Sequence, residues 1–84
     1  MDPDAAGTYQ QIANYAGFPA FRRLDGAFYI WFDDGDNDAY ILCDGEPGGG
    51  GGSIWVKASD YENPYGNYNA DFNADGIATF TAPS

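Results

Sequence analysis

The chain has no histidine, one cysteine and only three basic residues against thirteen acidic ones, a formal net charge of −10 over 84 residues. Each shortage excludes something. Without histidine, the usual general base, the Ser–His and Cys–His pairs and the imidazole metal ligands are all missing. A single cysteine, Cys43, permits neither an internal disulfide nor a Cys₄ zinc site. Gripping a phosphate backbone takes clustered Lys and Arg, and the one basic doublet is Arg22–Arg23, so nucleic acid is not an expected partner. Strong helix formers are few, with Leu and Glu twice each and Lys once. The longest apolar run, Ala27 to Phe32, is far short of the roughly 20 residues of a membrane-spanning helix, so no membrane insertion is expected. The opening Met-Asp-Pro-Asp is acidic and shows no apolar stretch of a signal peptide.

What the chain does have is rings and turns. Seven Tyr, six Phe and two Trp stand against eight Val, Ile and Leu together, so the core must be built largely from aromatics, which favour strands. Twelve Gly and five Pro supply the breaks between them. The composition predicts one all-β domain over 1–84: a small antiparallel meander of about five to six short strands, with 1–6 as a flexible tail. Short apolar runs place strands at 7–12, 20–24, 27–32, 39–43, 54–58, 68–72 and 77–81, with a turn over 14–19. Asp25-Gly26 predicts a type I′ hairpin turn, which needs positive φ at both residues. Asp44 to Ser53, with five consecutive glycines, reads as a flexible loop with no side chains to pack.

Period-2 alternation sets Phe28, Ile30 and Phe32 on one face and Tyr29 and Trp31 on the other, so this strand should be central. In Ile54–Ala58, Trp55 shares its face with Lys57, which marks that face as the wetter one. Tyr29, Trp31 and Trp55 are then expected to form an aromatic row. Together with the loop tyrosines Tyr61, Tyr65 and Tyr68, they make the candidate binding set for a glycan or a protein surface. The alternative is a structural subunit whose rings pack against copies of the chain in a fibre or surface layer.

Gly7-Thr8-Tyr9, Tyr15-Ala16-Gly17-Phe18-Pro19, Phe21, Tyr29-Ile30-Trp31, Ala39-Tyr40-Ile41-Leu42, Ser59-Asp60 and Pro64 form an ordered series. It resembles a small aromatic-rich β-module, G-x-Y…Y-x-G-x-P-x-Y…Y-x-W…W-x-I-S-D, that recurs in surface and secreted proteins of algae, protists and environmental microbes. The chain departs from it at Tyr40 to Asp44, where the module has Trp-x-Ile-Ser-Asp, and in the glycine run. The resemblance implies a non-catalytic contact role at a surface or outside the cell.

Asp71-Phe72-Asn73-Ala74-Asp75-Gly76 matches the first half of an EF-hand-type calcium loop, with alternate oxygen ligands and a turn glycine. It is also similar to the calcium-binding loops of propeller repeats. Asp71, Asn73 and Asp75 are therefore candidate calcium ligands, with the Ile77 carbonyl at position seven and Thr79, a weaker ligand than the usual Asp, at nine. Ala82 stands where the closing Glu belongs, so the series is incomplete, and the competing reading of Asn73 to Gly76 is a polar hairpin turn. A second acidic run, Asp33 to Asp38, reads as a solvated loop. Cys43 reads as a small buried hydrophobe on its strand.

Overall fold

The computed structural model describes residues 5, 7–35, 37–49 and 51–81; Asp36, most of the expected 1–6 tail and Ala82 lie outside the described residues. Seven strands follow one another: β1 (Tyr9–Tyr15), β2 (Phe18–Arg23), β3 (Tyr29–Asp33), β4 (Ala39–Cys43), β5 (Ile54–Lys57), β6 (Gly66–Phe72) and β7 (Ile77–Phe80). They form one sheet in sequence order, and every neighbouring pair is antiparallel. The all-β meander is as the composition predicts, with seven strands in place of five or six. No helix among the described residues is long and apolar enough to cross a membrane.

The hairpin chemistry differs from expectation at two places. The type I′ turn lies at Ala16-Gly17, with φ of 56° and 82°, between paired Tyr15 and Phe18. At Asp25-Gly26 only Gly26 has positive φ, 77°. The reason is the Asp25 carboxylate, which accepts from Ala27 N at 3.0 Å and from Arg23 Nε and Nη2 at 2.8 Å each. These bonds hold a four-residue loop instead, closed by Gly26 N donating to Arg23 O and Arg23 N to Phe28 O. The Arg23 guanidinium holds the Asp25 carboxyl down at about 2. Pro19, read as a turn breaker, belongs to β2 at the irregularity between Ile12 and Tyr15, a place in the ladder that tolerates a missing N–H.

The sheet is curled and has two apolar faces. Phe28, Ile30, Phe32, Leu42, Trp55 and Tyr68 are buried in the inner cluster. Ala20, Trp31, Ile41 and Cys43 form a second cluster on the outer side. Strand β4 is buried at all five positions because both of its faces are covered. The curl brings the last strand over the first two: the Phe80 ring lies 5.6 Å from Tyr9 and 5.0 Å from Phe21, edge to face in both cases.

The glycine-rich segment corrects the expectation of an unpacked loop, because it covers the outer cluster. The Gly45 carbonyl accepts from Trp31 Nε1 at 3.2 Å and from Cys43 Sγ at 3.4 Å. Asp44 Oδ1 accepts from Gly52 N at 2.6 Å, fastening the return. A Cβ at Gly51 would stand 2.9 Å from Cys43 Cβ, closer than side chains approach one another, so glycine is what allows the backbone to lie down here.

Candidate functional site

The structure separates the six aromatic candidates. Trp55 and Lys57 do share a face, but it is the inner one, and the exposure is the reverse of that expected. Trp55 is 0% and Lys57 5% exposed. The register explains this, since Trp55 pairs with Leu42, which pairs with Ile30 of the inner face. Lys57 is tolerated because its Nζ donates to the Ser59 carbonyl at 3.0 Å. Tyr29 and Trp31 lie with the outer cluster, so the three-ring row does not form; the glycine segment caps Trp31.

Tyr68 is buried, with its hydroxyl donating to the Pro64 carbonyl, and burial pushes its phenol far above the ordinary tyrosine range. Tyr61 stays exposed on the β5–β6 connection, where its carbonyl accepts from Tyr40 N. Tyr65 reaches a concave surface.

That surface is a cleft of about 490 Å³ along the seam between β1 and β7. Its banks are 7–9 and Gln11 on one side and 78–81 on the other, and buried Ile30 and Leu42 form the floor. Tyr65 stands on Phe80, stacked with ring centroids 5.0 Å apart and planes at 28°. Tyr9 meets the other side of the seam through Phe80, and its hydroxyl donates to the Ala5 carbonyl at 2.8 Å. Thr8, Gln11 and Thr81 supply hydroxyl and amide groups around this apolar floor; Thr79 lines it too, but its Oγ1 donates to Asn67 Oδ1 at 2.8 Å. A concave apolar site edged by a few polar groups is the usual form of a binding pocket.

Tyr9, Phe80 and Gln11 were not among the sequence candidates, and Thr79 entered only as the ninth position of the calcium series. Alternation in 7–12 and 77–80 already sets Tyr9 with Gln11 and Ala78 with Phe80 on single faces. What no local pattern carries is the curl that brings the first and last strands together.

Asp71, Asn73 and Asp75 are all exposed; Asn73, at φ 48°, and Gly76, at 79°, shape the β6–β7 turn. Among the described residues no group of three or more Asp, Glu, Cys or His side chains is placed to hold a metal ion. Burial raises the Cys43 thiol above its ordinary range, and the Gly45 carbonyl takes its hydrogen bond, so the reactive thiolate is disfavoured at this position.

Comparison with known proteins finds no family model that matches the chain, no curated protein similar to it and no similar solved structure.

Proposed function

We propose that the chain is a non-catalytic contact module that holds a glycan or a protein segment in the β1–β7 cleft. The observation that carries this reading is the cleft itself, about 490 Å³, walled by Tyr9, Tyr65 and Phe80 and rimmed by neutral hydrogen-bonding groups. Rigid amphipathic rings bury large area at small entropic cost, and hydroxyl and amide neighbours orient what lies on them. Those lining groups serve recognition without supplying a nucleophile paired to a base. The module resemblance adds a setting at a cell surface or outside the cell.

The test is an amide-resolved NMR titration with soluble oligosaccharides and with extended peptides. Binding should move resonances of Gln11, Thr79 and Phe80. Tyr65→Ala should weaken it by about tenfold, the loss of one stacked ring, while Tyr61→Ala on the exposed loop should leave it unchanged. Binding that follows Tyr61 and ignores Tyr65 would move the site elsewhere.

A further inference from the structure

We infer that the cleft takes an extended, basic polypeptide strand, which pairs with the edges of β1 and β7 and completes the curled sheet as an eighth strand. The inference rests on the contact reading above and names its partner.

Strand parity is the first argument. Six antiparallel steps leave β1 and β7 running in the same direction at the two ends of the strand order. One further strand between them can be antiparallel to both, the better bonded arrangement, so an odd meander accepts a single inserted strand without reversing any neighbour.

Main-chain direction is the second. Leu24 N donates to the Thr8 carbonyl, so Thr8 bonds towards β2, and the ladder's alternation turns the main-chain groups of Gln11 towards the seam. On the other bank, Ala58 N donates to the Asn67 carbonyl, so Asn67 bonds towards β5. Gly66 and Tyr68 then bond to their β7 partners Phe80 and Ala78, which leaves the main-chain groups of Ile77 and Thr79 turned towards the seam. Gln11 and Thr79 both line the cleft, so donors and acceptors of the two edges face one space. A strand laid there would set alternate side chains down on the rings of Tyr9, Tyr65 and Phe80.

Charge chooses the occupant. The cleft lining is uncharged, whereas the chain as a whole carries −10. A second copy brings the same charge and is repelled, and a neutral glycan gains nothing from the field. A peptide with an uncharged centre and basic flanks fits both the lining and the net charge of the chain.

The experiment uses the full chain and four probes. The first is an alternating Val/Thr peptide of about ten residues with Lys flanks. The second is its Glu-flanked analogue, the third a version N-methylated at alternate residues, and the fourth a soluble glucan oligosaccharide. Saturable binding of the Lys peptide is expected, with slowed hydrogen exchange at Gln11 and Thr79. The Glu-flanked and N-methylated peptides should each bind at least about tenfold more weakly, through lost charge attraction and lost main-chain bonds respectively. Thr79→Pro removes an N–H that faces the seam and not β6, so the variant should fold and lose the peptide, while Thr79→Ala keeps it. If Thr79→Pro does not fold, the N-methylated peptide still decides.

Equal binding of the N-methylated and parent peptides, or unchanged binding by a folded Thr79→Pro variant, overturns strand insertion. Glucan shifting Phe80 while no peptide binds also overturns it and leaves the contact reading standing. Silence of the cleft resonances towards every probe sinks both.

Discussion

Tyr40 shows how much one ring is asked to do in a chain short of aliphatics. Its hydroxyl donates to the Pro19 carbonyl at 2.6 Å and its ring packs edge-on against Phe32 and Phe18, tying β4 to β2 and β3. Burial pushes its phenol from 10.0 up to about 12. A folded state that holds this proton more tightly than the unfolded chain loses stability as pH rises. Stability that depends on neutral Tyr40 should therefore be complete below pH 10 and fall between pH 10 and about 12, with Tyr68 acting in the same direction. Urea unfolding across that range checks it: Tyr40→Phe should cost about 0.5–1.5 kcal/mol near neutrality, for one hydrogen bond, and flatten the alkaline decline.

Trp55 supplies the matching lesson in what single residues reveal. Its face-sharing with Lys57 was legible from alternation, but the direction of that face was not, because a buried lysine inverts the polarity signal. With the ring fully buried, Trp55→Ser should cost about 3–5 kcal/mol in the same unfolding assay, a core loss rather than a lost contact surface. Cys43 read correctly as a buried strand residue because its neighbours Ile41 and Leu42 are apolar whichever face they take.

At the scale of elements, the strands were the readable part and the connections were not. Short ring-rich runs became strands, seven against the five or six expected, because such segments have few other ways to bury their area. The glycine segment was opaque for a physical reason: glycines have no side chain to show a pattern, and their role here is to let backbone approach Trp31, Cys43 and Tyr15 closely. That role is measurable. Gly51→Ala places a methyl where Cys43 Cβ stands 2.9 Å away, which should cost on the order of 1–3 kcal/mol as overpacking. It should also lift the cover and speed the reaction of Cys43 with an aromatic disulfide reagent. Gly35→Ala, whose new Cβ among the described residues meets only Asp33 Oδ1 at 3.5 Å, should change stability by less than about 0.5 kcal/mol and leave the thiol rate alone. Equal thiol rates in the two variants would mean that the glycine segment does not shield the outer cluster.

At the scale of the whole molecule, charge and curvature act against each other. The curl gathers the first and last strands around one cleft and leaves both as end strands, a template on which copies of the chain could pair. Leu24, Phe72 and Ile77 add exposed apolar area that favours such pairing. Against this stands a net charge of −10 on a body only 29 × 28 × 22 Å in extent. Every approaching copy brings the same sign, and the acidic loops within one copy repel one another. Salt shortens the reach of both repulsions, from a Debye length of about 30 Å at 0.01 M to about 3 Å at 1 M. The two consequences share one cause and should appear together: the melting temperature rises with sodium chloride, and sedimentation velocity reports a monomer at low salt, with any dimer appearing only as salt is raised. A basic peptide in the cleft responds in the opposite sense, since salt screens its attraction. A dimer that is firmest at low salt would show that pairing draws on attractive contacts between charges and not on apolar edges released from repulsion.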